Sequence, residues 1–165
     1  MSFTTRDTLN NNLRKGLGTI FFVWLGILLG VSFLATPVKF QAPHLTLPVA
    51  LEVGKVTFHL LHKVEWGLLA LTFFLAYLAK VDKKIHGSML ILGIILALQN
   101  LWLIPTLDLR IDAIVTGITP PPGHFHLTYI VIEILKLVLL GFIAFLLTWH
   151  TLDHCEKRKI FIKKL

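Results

Sequence analysis

Apolar residues fall in four long runs separated by short polar breaks, and each run suits a bilayer core of about 30 Å, which takes roughly 20 residues of helix. The first run covers residues 17–35 and follows Arg14 and Lys15. No small-x-small cleavage pattern precedes Pro37, so this run reads as a retained span over about 17–38 and not as a cleaved leader. The second helix is expected over about 48–80, long enough to tilt or to project beyond the hydrocarbon; its apolar part is residues 66–79 and its first half is charged. A third span over 87–104 is expected to stop at Pro105, because proline cannot donate to the helical ladder and disfavours helix in the residue before it. A loop follows over 106–124, with a short helix near 107–115 and a rigid stop at Pro120-Pro121-Pro122-Gly123. The fourth span, about 127–149, leads into a basic tail over 150–165. The pattern therefore predicts an all-α, polytopic membrane protein: one four-helix transmembrane bundle with a short outer helical segment between spans three and four. Short connections make consecutive spans antiparallel neighbours.

Lysine and arginine positions orient these spans. Arg6, Arg14 and Lys15 precede span one, Lys80, Lys83 and Lys84 lie between spans two and three, and Lys157, Arg158, Lys159, Lys163 and Lys164 follow span four. All share one side of a four-span topology, whereas the other side has Lys39 and Arg110. The positive-inside rule then puts both termini in the cytoplasm, with a bacterial inner membrane as the expected location and anionic lipid facing the basic segments.

Polar residues interrupt the apolar runs in a regular way. Span two carries Glu52, Lys55, His59, His62, Lys63 and Glu65. At 100° per residue the first five fall within an arc of about 100°, with Glu65 roughly 60° beyond His62. Span four repeats the spacing, since His126, Tyr129, Glu133 and Lys136 share a face at i, i+3, i+7 and i+10. Gln99 and Asn100 near the end of span three, and Asp108, Arg110 and Asp112 beyond it, bring further polar groups to the outer half. Charges at bilayer depth cost about 2.5–3.5 kcal/mol each on insertion scales, so they face the bundle interior and pair. Glu52 with Lys55, Glu133 with Lys136, and Lys55 with Glu133 across helices are the pairs the signs allow. The expected ligand-facing set is Glu52, Lys55, His59, His62, Asn100, Tyr129, Glu133 and Lys136.

Composition narrows the chemistry. The chain is 55% hydrophobic with a mean hydropathy of +0.77, too apolar for a soluble domain. Its net charge of +7 sits at the ends of apolar runs and not among aromatics on a polar face, which argues for lipid and against nucleic acid as partner. Cys155 is the single cysteine, so an intrachain disulfide and a cysteine metal cluster are excluded. His59, His62 and Glu65 at i, i+3 and i+6 could supply metal ligands, completed by Glu133, His124 and His126, although the lysines of the same stripe oppose a cation. Haem would need His59 or His62 opposite His126, and no Cys-x-x-Cys-His is present. The mixed lining better suits a small polar solute, an ion or a proton relay through His59, His62 and Glu133. No Ser/His/Asp arrangement, phosphate loop or H-E-x-x-H motif points to an enzyme. The competing reading is a non-catalytic subunit of a larger membrane complex or a homo-oligomer. Gly26 and Gly30, with Ser32 just beyond, form a G-x-x-x-G face of the kind that packs helices.

The stretch Gln99-Asn100-Leu101-Trp102-Leu103-Ile104-Pro105, with Arg110 beyond it, resembles a helix exit in the membrane family that includes human transmembrane protein 205, where asparagine shortly precedes tryptophan, leucine and proline. Lys55 and Phe58-His59 are similar to that family's second-helix lysine and phenylalanine-histidine pair, and Phe33 with Pro37 resembles the exit of its first span. The resemblance covers the first three spans. Here Arg110 does not directly follow Pro105, and His62-x-x-Glu65 has no counterpart. What the resemblance implies is a compact four-helix membrane bundle with a link to drug or metal tolerance.

Overall fold

A computed structural model describes residues 5–163, with side chains from Thr8 to Trp149. Among these residues the chain is helical and has no strand. Helix α1 (Thr5–Leu28) runs directly into a π-helical stretch π1 (Leu29–Ala35) and the short α2 (Thr36–Lys39). Helix α3 (Leu47–Leu78) follows, then α4 (Lys83–Leu98), which passes through a second π-helical stretch π2 (Gln99–Leu103) into α5 (Ile104–Val115). The last helix, α6, covers Phe125–Lys163. Four of the resulting rods, Thr8–Lys39, Leu47–Leu78, Lys83–Val115 and Phe125–Trp149, are long and apolar enough to cross a membrane, the architecture of a multi-pass membrane protein.

The surface is apolar and the interior is partly polar, the reverse of a water-soluble bundle. Val56, Leu101 and Leu109 face outward at 70%, 78% and 73% exposure, while Glu65, Glu133 and Lys136 are buried. Helix α1 packs on α3 and α6, and α4 packs on α3 and α6, so consecutive spans are neighbours and α6 closes the ring against α1. The core seam follows alternating steps of four and three: Leu17, Phe21, Trp24 and Leu28 in α1; Ile85, Met89, Leu92 and Leu96 in α4; Leu140, Ile143 and Leu147 in α6. This is the knobs-into-holes period of a left-handed bundle. Gly93 allows α3 close to α4, since a Cβ there would lie 3.3 Å from Leu69 Cδ2. Among the described residues, a Cβ at Gly26 or Gly30 would meet no atom within 4 Å, so the G-x-x-x-G face makes no close helix contact there.

Pro105 does not end the third span, contrary to the sequence expectation. It sits in the first turn of α5, where a missing N–H removes nothing, and the wide turns of π2 just before it carry the rod onward. Thr106 Oγ1 donates to Trp102 O at 2.7 Å, satisfying a carbonyl beside the proline. Span one uses the same device. Pro37 follows π1, and Thr36 Oγ1 donates to Val31 O at 2.8 Å. The expected short outer helix is thus α5, continuous with span three.

Both inter-helix turns that leave α3 and α5 are closed by the same pair of backbone bonds. After α3, Lys80 N–H donates to Tyr77 O and Val81 N–H to Ala76 O, each at 3.3 Å; after α5, Gly117 N–H donates to Ile114 O at 3.1 Å and Ile118 N–H to Ala113 O at 2.8 Å. These are Schellman closures, and each needs a left-handed residue. Gly117 supplies it freely at φ 82°, whereas Lys80 adopts φ 47° with a full side chain. Arg14 ties α1 to this first turn by donating from Nη2 to Lys80 O at 3.0 Å.

Candidate functional site

Polar residues occupy the seam positions midway along the bundle. In α3 the inward positions continue from Leu69 back to Glu65 and His62; in α6 they continue from Leu140 back to Lys136, Glu133 and Tyr129. At these places a core that would otherwise be leucine holds ionisable groups. Lys136 Nζ lies 2.9 and 3.0 Å from the two oxygens of Glu65 and 2.8 Å from Glu133 Oε1. All three side chains are sealed from the outside, with exposures of 0% for Lys136 and Glu65 and 1% for Glu133. The Lys136–Glu65 bridge therefore joins two helices that face one another across the bundle axis.

Every surrounding helix contributes to this cluster. Trp24 of α1 donates its indole N–H to Glu65 Oε1 at 3.2 Å. Gln99 of π2 donates to Glu133 Oε1 at 3.0 Å, and Ser32 of π1 donates to Glu133 Oε2 at 3.1 Å. His62 Nδ1 sits 2.9 Å from Phe58 O; because a carbonyl only accepts, this nitrogen carries the proton. His62 Nε2, Gln99 Oε1 and the Tyr129 hydroxyl are buried without a hydrogen-bond partner. Buried polar atoms are ordinarily paired, so three unpaired ones beside a charge cluster mark a place able to accept further contacts.

Towards the end of the bundle that carries α5, a salt bridge and a histidine–carboxylate contact join α3 to α5. Lys55 Nζ lies 2.6 Å from Asp112 Oδ1, and His59 Nε2 lies 2.7 Å from Asp108 Oδ2. Arg110 Nη1 donates to Pro121 O at 2.7 Å and its guanidinium stands 5.7 Å from the Phe125 ring centroid, which fastens the connection between α5 and α6.

Two adjoining chambers lie between these layers. The larger in wall, about 250 Å³, is bounded by α2, α3 and α5 through Lys39, Lys55, Phe58, His59, Asp108 and Ile111 among others. The second, about 310 Å³, lies between π1, α2 and α6 and reaches Ser32, Phe33, Ile130 and Glu133. Thr36, Phe40, Phe58, His126 and Tyr129 line both. Phe58 meets Tyr129 edge to face at 5.0 Å, forming the partition at the base. Gly54 matters here because a Cβ would collide with Lys39 Nζ, so the glycine makes room for that ammonium. Walls of this kind, mostly apolar with a few convergent polar atoms, are the usual form of a small-molecule site.

The residues singled out from the sequence separate into three groups. His62, Glu133, Lys136 and Tyr129 come together in or beside the cluster, and Glu65, expected as a metal ligand, forms its far end. Lys55, His59 and His126 line the chambers nearer the α5 end. Glu52 and Asn100 lie on exposed faces, because the four-three seam passes through Ala50, Gly54 and Gln99 instead. The expected Lys55–Glu133 pair is not formed, since Lys55 reaches Asp112. Among the described residues no three His, Cys, Asp or Glu side chains converge as metal ligands. Of the proposed set His59, His62, Glu65, His126 and Glu133, the two carboxylates are instead bridged by an ammonium, His62 is engaged by a backbone carbonyl, and His59 by Asp108. Trp24, Ser32 and Gln99 were missing from the expected site; Trp24 and Gln99 lie on the four-three seams of their helices, whereas Ser32 stands one residue past the seam position Val31, within π1. No family model, curated protein or solved structure matches the chain.

Proposed function

We propose that this chain is a membrane binding protein that takes up a small amphipathic molecule at the α5 end of the bundle, the side opposite the basic segments. One observation carries the reading: two adjoining chambers with apolar and aromatic walls share Tyr129, and the second reaches the buried carboxylate of Glu133. The body of the ligand would lie against Phe40, Phe58 and Ile130, and its polar end would meet Tyr129 and Glu133. Binding is favoured over passage because the rest of the bundle is filled by Leu17, Phe21, Met89, Leu92, Leu140 and Ile143, all fully or nearly fully buried. In this arrangement the Lys136 cluster is the floor of the site and the Lys55–Asp112 and His59–Asp108 pairs are part of its rim.

The test uses 2-phenylethanol, which pairs an aromatic body with one hydroxyl. Equilibrium dialysis against the purified full chain in phosphatidylcholine nanodiscs, with empty nanodiscs as reference, should show saturable binding. Ile130→Trp, which fills the second chamber, should abolish it. Purely linear partitioning, the same with and without protein, would refute the proposal.

A further inference from the structure

The two chambers share a partition but differ in charge. The wall of the first carries Lys39, Lys55 and Arg110 together with Asp108. The wall of the second carries Glu133 and no other Asp, Glu, Lys or Arg. Phe33, Phe40, Phe58 and Tyr129 line the same chamber, so aromatic rings and one carboxylate share its wall.

The hydrogen bonds define what head group fits. Lys136 is shared between Glu65 and Glu133, so the buried cluster sets two carboxyl groups against one ammonium. With both carboxyl groups ionised the cluster carries one negative charge too many, a cost in a low-dielectric core that either a proton or a cation brought from outside relieves. Glu133 Oε1 already accepts from Lys136 and Gln99, whereas Oε2 accepts from the hydroxyl of Ser32, and Ser32 and Glu133 both line the chamber. Tyr129, 4% exposed, lines the same chamber, and its buried hydroxyl lies near the Glu133 carboxylate without a well-formed hydrogen bond. Both oxygens accept hydrogen bonds, and aromatic faces attract cations through their quadrupoles.

We propose that the second chamber binds a monovalent organic cation, an arylalkyl- or alkylammonium whose head group donates to Glu133 Oε2 and to the Tyr129 oxygen while its body lies against Phe33, Phe40 and Phe58. This rests on the chambers being a binding site, and it names the class of molecule they take. A carboxylate ligand would be repelled by Glu133. A neutral alcohol would bring no positive charge to Glu133.

The experiment compares three probes of one size, 2-phenylethylammonium, 2-phenylethanol and 3-phenylpropionate, by equilibrium dialysis against the full chain in phosphatidylcholine nanodiscs. The expected result is binding of the ammonium at least tenfold tighter than the alcohol, with no saturable binding of the carboxylate. Glu133→Gln should bring the ammonium down to the affinity of the alcohol. Tyr129→Phe keeps the ring and removes only the hydroxyl, so it should weaken the ammonium severalfold and carries the test alone if Glu133→Gln does not fold. Equal binding of ammonium and alcohol by the wild-type chain overturns the cation assignment and leaves the binding site standing. So does an ammonium preference unchanged in both variants. Failure of all three probes to bind overturns the site and the assignment together.

Discussion

Replacing Lys136 by methionine keeps the length and apolar stem of the side chain and removes its charge. The ammonium lies within 3.0 Å of both Glu65 oxygens and 2.8 Å from Glu133, in a place with no exposure, so its loss strands two carboxylates that nothing else neutralises. Breaking a buried pair by deleting one partner costs about 3–5 kcal/mol, and here a second carboxylate raises the cost towards or beyond the upper figure. Against a total stability of about 5–15 kcal/mol that is a large share. The melting temperature of the purified chain in detergent should fall by about 6–20 °C. Tryptophan fluorescence is a suitable readout because Trp24 is bonded to Glu65 and reports directly on the cluster. The double variant Glu65→Leu, Lys136→Leu leaves Glu133 with its Gln99 and Ser32 partners and should recover most of the loss, since two apolar groups of similar size replace a pair whose burial was itself expensive. A Lys136→Met protein that melts with the wild type, or a double variant less stable than Lys136→Met, would refute the reasoning.

Two further outcomes are expected. Lys80→Gly should stabilise the chain by roughly 0.5–1 kcal/mol by relieving the left-handed backbone at φ 47°, while Gly117→Ala should cost roughly 1 kcal/mol at φ 82°; thermal melts check both, and a Lys80→Gly variant that melts lower would contradict the turn assignment. In a Cys155→Ser background, an impermeant maleimide applied to intact cells should label Ile118→Cys and spare Lys83→Cys, and the opposite pattern would reverse the orientation drawn from the basic residues.

The bundle was legible because lipid imposes a simple rule: four runs of apolar residues must be four helices, with every backbone group satisfied internally. The polar stripes were legible too, but their centre was misplaced. An arc drawn at 100° per residue centred the stripe of span two on Lys55, His59 and His62 and left Glu65 to one side. Long packed helices follow a four-three seam, and from Leu69 that seam runs to Glu65 and His62, which makes Glu65 the buried partner of Lys136 and turns Lys55 and His59 towards α5. The same seam in span three passes from Leu96 to Gln99 and leaves Asn100 outside. Pro105 misled for another reason. Its local effect on a helix depends on the ladder around it, and neither the π-helical stretch before it nor the hydroxyl of Thr106 is visible in a residue's own preference. Which carboxylate Lys55 would choose, Asp112 over Glu133 or Glu52, depended on how α5 prolongs the third rod alongside α3, a tertiary fact with no local signature.

Ser32 belongs to π1 and Gln99 to π2, and both donate to the carboxylate of Glu133. In mechanical terms the bundle has a fixed base and two jointed staves, because each π-helical stretch is a place where the helical ladder is already widened and where bending is least costly. A single side chain on a third, unjointed stave pins both joints. Whatever draws Glu133 aside would therefore slacken a tie to both joints at once, one leading to the segment from Phe33 to Phe40 and the other to the segment from Leu107 to Ile114.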